Sequence, residues 1–281
     1  MSQRGWWLFL AVGFIWGTPY LLIRIAVESL DPLMVAFGRT LIGALLLLPV
    51  ALYRKALAPA FAHWRALLAF TLVEISGPWL LLGLAETRLN SSTTGLIIAM
   101  VPLFAAVIVT RLGHDRLDSR RLAGLATGFV GVAALVGLDV RMSDLPAAFA
   151  LALAALGYAV GPVIIDRKLK DVPPIGVVTA SLVLATLIYA PFVPASWPAQ
   201  LAPAAIGSVV GLGVLCTATA FMLFFALIAE VGPARATVVA YVNPLVAVAL
   251  GVAILKEPFT LGMAIGFPLV IAGSILATRK A

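Results

Sequence analysis

The sequence predicts an all-α integral membrane protein whose ten transmembrane helices form two inverted five-helix repeats. The first observation behind this prediction is composition, because 63% of the residues are hydrophobic and only 11% are charged, whereas a soluble chain carries about 25% charged residues. The second is a repeated pattern: MVPLFAAVIVTRLGHDRLD at 100–118 returns in similar form as YVNPLVAVALGVAILKEPFT at 241–260. Together they place the apolar surface in a bilayer and indicate an internal duplication.

Ten hydrophobic segments are separated by short polar stretches. Each is close to the roughly 20 residues that a helix needs to cross about 30 Å of hydrocarbon. Ten crossings put both ends of the chain on the same side of the membrane. The predicted segments are 6–27, 33–53, 64–85, 91–111, 121–138, 145–165, 175–194, 203–229, 233–255 and 260–277.

The lysines and arginines predict which side each loop faces. With the N-terminus inside, only Arg88, Arg141 and Lys256 fall on the outer side. This asymmetry follows the positive-inside rule and predicts a multi-pass protein of the cell (inner) membrane with both termini cytoplasmic. Because the basic residues are scattered over short loops, the net charge of +7 predicts no nucleic-acid partner. The inner side receives Arg4, Arg54, Lys55, Arg65, Arg111, Arg116, Arg120, Arg121, Arg167, Lys168, Lys170, Arg235, Arg279 and Lys280.

The repeated pattern has a constant offset. Shifting the numbering by 142 aligns four pairs without a gap, namely Pro102 with Pro244, Asp115 with Glu257, Gly124 with Gly266 and Gly131 with Gly273. The halves are therefore predicted as 1–142 and 143–281. Because five is an odd number, the second half enters the membrane from the opposite side, as in inverted-repeat carriers. The alternative is chance similarity, since small residues are common in any membrane helix.

Five stretches of the chain resemble the EamA family of the drug/metabolite transporter superfamily. The resemblance implies a ten-helix, two-repeat carrier of small organic metabolites, typically amino acids, that often works as an exporter. One departure is Asp115, where the family pattern usually has Glu; the second copy keeps Glu257, and both are interpreted as polar loop anchors near the membrane edge. The five stretches are FIWGTPYLLIRIA at 14–26, FGRTLIGALLLLP at 37–49, MVPLFAAVIV at 100–109, VNPLVAVALGVAILKEPFT at 242–260 and GMAIGFPLVIAGSILA at 262–277.

The residues themselves argue against an enzyme and against a cofactor. No glycine-rich phosphate loop ending in Lys-Ser or Lys-Thr is present. Neither His63 nor His114 lies in a span, and no buried aspartyl pair can be drawn. Cys216 is the single cysteine, so the sequence predicts no Cys/His metal site. The remaining function classes are a secondary carrier working by alternating access and, as the alternative, a lipid-handling or scaffold membrane protein without a polar substrate.

Polar, aromatic and helix-breaking residues recur near the middle of the predicted spans. A proline inside a helix frees a carbonyl group and creates a local hinge, although any single proline is also compatible with a packed kink. Aromatic residues at this depth either line a cavity or pack against neighbouring helices. The predicted hinges are Pro19, Pro78, Pro102, Pro162 and Pro244. The predicted substrate-binding residues are Trp16, Tyr20, Arg39, Glu74, Trp79, Tyr158, Phe221, Tyr241 and Asn243.

Glu74 is the most informative of these residues. A carboxylate in the middle of an apolar span costs a few kcal/mol and usually faces a cavity or a partner. One hypothesis is that Glu74 holds a substrate ammonium group or a coupled proton. The other is that it only forms a buried ion pair with Arg39, which lies at a similar depth. Arg24, at the outer end of its span, is expected to extend to the lipid headgroups.

Glycines four residues apart mark the last span of each half. The pairs are Gly124 with Gly128 and Gly262 with Gly266, and such pairs give flat helix faces that pack closely. These faces predict scaffold contacts or a homodimer interface, with no substrate role. The predicted partners are therefore the lipid bilayer, a small-molecule substrate and a second copy of the chain.

Overall fold

The computed structural model describes residues 1–112, 118–198 and 200–278. Within these residues, ten helices are long and apolar enough to cross a membrane, which confirms the predicted all-α membrane fold. The predicted anchor Asp115, and His114, Arg116, Arg279 and Lys280, lie outside the described residues. The spans are α1 (Gln3–Ala26), α2 (Pro32–Tyr53), α3 (Trp64–Glu86), α4 (Ser91–Arg111), α5 (Ser119–Asp139), α6 (Met142–Leu169), α7 (Pro174–Ser196), α8 (Pro203–Val231), α9 (Thr237–Ile254) and α10 (Leu261–Thr278).

Side-chain caps explain where several spans begin. The carboxylate of Asp31 accepts a hydrogen bond from the N–H of Leu33 at 2.8 Å, and Asn90 Oδ1 accepts one from the N–H of Thr93 at 2.7 Å. Asp118 caps α5 in the same way. Each cap satisfies a backbone donor that the first helical turn leaves free. The predicted boundaries miss most at α6, which continues to Leu169 as a polar, π-helical turn that hydropathy does not detect.

Seven of the described spans break or change helical type along their length, α6 and α7 near their ends and five others as follows. α1 breaks at Thr18, and α4 breaks between residues 98 and 101. α3 contains a π-helical turn at Thr71–Ser76 and α8 contains one at Val214–Thr219, near corresponding positions of the two halves. α9 begins as a 3₁₀ turn at Thr237–Tyr241.

The predicted hinge prolines follow these irregularities. Pro19, Pro78, Pro102 and Pro244 each stand in the first turn of an α-helical stretch that follows a break, a π turn or a 3₁₀ turn. The lost N–H costs little there, because the first helical turn has free donors in any case. Pro162 differs, since it lies inside α6, is exposed, and precedes the π turn at the end of that span. Motion at these positions stays a prediction.

The two halves pack by pairing helices across the molecule. α1 packs against α8, and α6, its counterpart in the second half, packs against α3. α2 packs against α7, α4 against α9 and α5 against α10. Exchanging the halves leaves this set of pairs unchanged. The pairing is the one expected of two equivalent repeats.

The glycine faces of α5 and α10 meet each other within one chain. A Cβ on Gly131 would lie 2.9 Å from the carbonyl oxygen of Gly266, and a Cβ on Gly273 would collide with the backbone of Gly128. Close backbone approach of this kind is what paired small residues permit. The predicted scaffold contact therefore forms inside the chain, while the homodimer stays a prediction and would use other residues of these helices.

Candidate functional site

Arg39 of α2 is the buried cation at the centre of the helix bundle. Its side chain is only 6% exposed. The guanidinium Nε donates to Thr217 Oγ1 of α8 at 3.0 Å, and the guanidinium carbon lies 3.6 Å from the ring centroid of Trp79 of α3. Stacking on an aromatic face stabilises a cation that is removed from water. Three helices therefore hold Arg39 in one place.

The π turn of α8 positions Thr217 for this contact. Thr217 Oγ1 donates to the carbonyl oxygen of Leu212 at 2.8 Å, five residues earlier, and this leaves its lone pairs to accept from Arg39. The π turn of α3 is used in a similar way, because the carbonyl oxygen of Ser76 accepts a hydrogen bond from the Tyr189 hydroxyl of α7 at 2.5 Å. π turns inside α-helices occur frequently at functional sites.

The charge of Arg39 has no carboxylate partner in the described part of the chain. The two ion pairs found there are Arg4–Glu230 at 4.0 Å and Arg88–Asp144 at 3.7 Å. The groups within electrostatic range of Arg39 are instead neutral phenols and a thiol. They are Tyr20 of α1, Tyr158 of α6, Tyr189 of α7 and Cys216 of α8.

Glu74 lies in the π turn of α3 and faces α6. Its Oε2 atom is buried without a hydrogen-bond partner. A Cβ on Gly161 of α6 would collide with the Glu74 carboxylate, so this glycine makes the space that the side chain occupies. Tyr158, one turn earlier on α6, lies within electrostatic range of both Glu74 and Arg39. The direct Arg39–Glu74 ion pair of the second hypothesis is not formed among the described residues.

Aromatic rings extend the site along α8. The ring of Trp16, just before the break in α1, lies 5.8 Å from Phe221 and 4.6 Å from Phe224. Phe221 stacks on Phe225 at 6.1 Å. Trp16, Phe221 and Phe225 are half-buried. This arrangement gives an apolar wall on the inner side of the Arg39 cluster.

Tyr241 and Asn243 of α9 are used in contacts between helices. The Tyr241 hydroxyl shares a 2.7 Å hydrogen bond with Thr278 Oγ1 of α10. With the amide oriented to satisfy its neighbours, Asn243 donates to the carbonyl oxygens of Gly13 of α1 at 3.2 Å and Val239 at 3.1 Å. Both residues were predicted to bind substrate, but their polar atoms tie α9 to α10 and α1 in this conformation.

Comparison with known proteins places this architecture in a family. The EamA-like transporter family matches residues 3–137 and 145–279. The chain belongs to this family. It is 23% identical over 281 residues to an uncharacterized transporter of Archaeoglobus fulgidus, covering 98% of this chain and 99% of that protein. It is 30% identical over 252 residues to the uncharacterized inner membrane transporter YedA of Escherichia coli K12, covering 86% of this chain and 79% of that protein.

The fold is also found among solved structures. A protein of known crystal structure superposes with a TM-score of 0.69 at 20% sequence identity, covering 99% of this chain and 97% of that one. At this identity the likeness supports the fold alone. With the family match, it makes this EamA-family protein a multi-pass membrane transporter.

A second buried carboxylate lies at the C-terminal end of α3, which the positive-inside rule predicts to be the outer end. Glu86, the last residue of that span, is 0% exposed, and neither carboxylate oxygen has a hydrogen-bond partner. Arg24 of α1 donates to the backbone carbonyl oxygen of Glu86 at 2.6 Å and so turns into the protein, whereas it was expected to reach the headgroups. Glu86 was not predicted as a site residue, because an acid at the end of a hydrophobic segment is usually solvated.

Glu257, one of the two predicted loop anchors, caps α4 from the loop between α9 and α10. Its Oε1 accepts from the N–H of Ser91 at 2.8 Å and from the Ser91 hydroxyl at 2.9 Å. Its Oε2 accepts from the N–H of Ser92 at 3.0 Å and from the Ser92 hydroxyl. A carboxylate at a helix N-terminus is stabilised by the free N–H groups and by the helix dipole. Glu257 is thus an anchor, as predicted, and it joins the two halves.

Proposed function

We propose that this EamA-family protein is a secondary carrier that exports small organic metabolites of the amino acid class by alternating access. The observation that carries the proposal is the pair of unneutralised groups in the bundle. Arg39 is a buried cation without a carboxylate partner, and Glu74 has a buried oxygen without any partner. Burying such groups is costly unless a partner arrives. A zwitterionic solute supplies both partners at once.

The chemistry of each group assigns its half of the substrate. Nε of Arg39 is occupied by Thr217, while its two terminal nitrogens have no acceptor among the described residues. A substrate carboxylate fits these donors, since guanidinium groups bind carboxylates in a bidentate manner. The free oxygen of Glu74 is an acceptor for a substrate ammonium group. Tyr158, within electrostatic range of both charges, would lie between the two ends of the substrate.

Alternating access is supported by the difference between the two ends of the bundle. All ten residues from Ser91 to Met100, which form the outer half of α4, are buried. At the inner end, Phe221 to Ala226 of α8 are all partly exposed. These exposures favour an outer end that is closed and an inner end that is open. The inner membrane named for YedA and the positive-inside asymmetry support a location there with cytoplasmic termini.

Transport in proteoliposomes tests the proposal with three related probes. The probes are a neutral amino acid, the amine that lacks its carboxylate and the acid that lacks its amino group. We expect the wild-type protein to prefer the amino acid over both. Arg39→Gln should decrease the preference for the amino acid over the amine by about tenfold or more. Glu74→Gln should decrease the preference for the amino acid over the acid by a similar factor. The physical reason is that a hydrogen bond to a charged group contributes about 1.5–3 kcal/mol.

Matched controls separate binding from folding. Arg54→Gln and Glu28→Gln change exposed groups outside the bundle centre and should leave all preferences unchanged. The double variant Arg39→Gln with Glu74→Gln should be folded and should discriminate poorly among the probes. If the wild-type protein moves no probe, or if each single variant loses all three probes equally, the proposal is wrong, and a scaffold or lipid-handling role is favoured.

A further inference from the structure

The outer end of the bundle contains a carboxylate that the central site does not use. Glu86 is fully buried at the outer end of α3, and both of its oxygens lack partners. An ionised carboxylate in such surroundings has lost its hydration and gained no hydrogen bond, which costs several kcal/mol. A protonated carboxyl group costs far less to bury, because it has no net charge.

The groups around Glu86 do not neutralise it. Arg24 lies within electrostatic range, but the hydrogen bond that it makes goes to the Glu86 peptide carbonyl. Glu257 lies within range with the same sign of charge. The Tyr20 phenol of α1 also lies within electrostatic range of Glu86. The nearby charges of Arg88 and Asp144 pair with each other at 3.7 Å.

A bound metal cation does not fit this arrangement. Glu257 is the second carboxylate of the cluster, but backbone N–H groups and hydroxyls of Ser91 and Ser92 already donate to both of its oxygens. Because these donors already occupy the oxygens of Glu257, its carboxylate is unsuited to share a cation with Glu86. A cation would therefore find one free carboxylate, which is fewer oxygen ligands than hard cations require. A proton, in contrast, needs only one carboxylate oxygen.

We propose that Glu86 is a proton-binding site of the outer gate and that the outer end closes only when its carboxylate has bound a proton from the external water. This inference rests on the alternating access of the proposed function. When the outer end opens, Glu86 meets water and releases the proton as hydronium. In the ionised form, loss of hydration and repulsion from Glu257 keep the α3–α4 hairpin from packing back.

Cysteine accessibility at the hairpin tip tests the site without any substrate. Leu89, between α3 and α4, is 6% exposed, so Leu89→Cys in a Cys216→Ser background reports opening of the outer end. The labelling rate with an impermeant maleimide is measured from outside at external pH from about 5 to about 8, where perturbed carboxyl groups titrate. Each rate is divided by that of Ser29→Cys, an exposed outer position, which corrects for ionisation of the thiol.

We expect the corrected rate to rise several-fold with external pH. In Glu86→Gln, which stays neutral, the rate should be low and independent of pH, and Glu86→Asp should restore the dependence. Glu28→Gln, which changes an exposed outer carboxylate, should behave as the wild type does. A pH response that persists in Glu86→Gln, that is lost only in Glu257→Gln, or that is replaced by a response to sodium against choline overturns the proposal.

The two proposals fail in different ways. If the labelling rate shows the expected pH dependence but none of the probes is transported, the proton site stands and the proposed substrate class is wrong. If the protein transports the probes but the labelling rate of Leu89→Cys does not change with pH, the proposed carrier function stands and the proton site is wrong. Detergent-solubilised melting of Glu86→Gln confirms that a flat response comes from folded protein.

Discussion

The α3–α4 hairpin, predicted to lie at the outer end, and the α8–α9 hairpin, predicted to lie at the inner end, hold corresponding positions in the two halves but differ in environment. Each has a glutamate where its first helix ends. Glu86 is fully buried, whereas Glu230 is exposed and binds the N-terminus through Ser2 at 2.5 Å. The start of α4 is buried throughout, whereas Arg235 just before α9, and Thr237 and Val238 at the start of α9, are exposed. Hairpins of related sequence can thus be either buried or exposed. In an alternating-access carrier, the two hairpins would exchange these two environments.

The largest expected effect comes from removing the anchor of the closed end. Glu257→Ala deletes the group that satisfies four donors at the start of α4. These hydrogen bonds are part-buried, and a hydrogen bond to a charged group contributes about 1.5–3 kcal/mol, so the purified protein should melt at a clearly lower temperature. Glu230→Ala, the inner counterpart, should change stability by about 1 kcal/mol or less because its pairing is exposed. An equal decrease in melting temperature in the two variants would contradict the difference in packing between the two hairpins.

Labelling of matched cysteines sharpens the same comparison. In a Cys216→Ser background, Val238→Cys on exposed α9 should react quickly with a thiol reagent from the cytoplasmic side. Leu96→Cys on buried α4 should react at least about tenfold more slowly from either side, as expected for a minor open state. A cysteine at Lys280 should be protected from an impermeant reagent in intact cells. Reaction of that cysteine from outside would reverse the orientation of both hairpins.

The smallest expected effect concerns the link between α8 and the central cation. Thr217→Val removes the acceptor of the Arg39 Nε bond while keeping the shape of the side chain. The loss of one hydrogen bond to a charged group corresponds to about 1.5–3 kcal/mol, part of which water restores when the inner end is open. We expect a several-fold increase in the substrate concentration for half-maximal transport. Thr219→Val, an exposed change in the same π turn, serves as the control.

The sequence was sufficient for the ten spans and for the flat glycine faces of α5 and α10, but not for the finding that these two faces contact each other. Hydropathy indicates which segments partition into lipid, and the spacing of Gly124, Gly128 and Gly266 indicates helix faces without side chains. Both properties are local. Arg39 and Glu74 were also recognised as unusual, because charge in an apolar span is visible without knowing its neighbours.

The partners of those charges could not be predicted. The rotation of α8 that brings Thr217 to Arg39 depends on a π turn, and no residue pattern in Val214–Thr219 announces one. Glu86 was missed because its burial depends on how the α3–α4 hairpin packs against α1 and the loop that holds Glu257. Tyr241 was placed at the site from its depth alone, but its direction around the helix axis turns it to α10.

The π turns of α3 and α8 also record the order of events in the origin of this chain. A π turn holds one residue more than the α-helical turn that it replaces, and it arises when a single codon is added within a helix. The 142-residue offset relates Ile23 to Ile165 before these turns and Pro102 to Pro244 after them, so both halves hold the extra residue. If the halves descend from one ancestral gene, the added codon is older than the duplication. The widened turn was then already present in a five-helix ancestor.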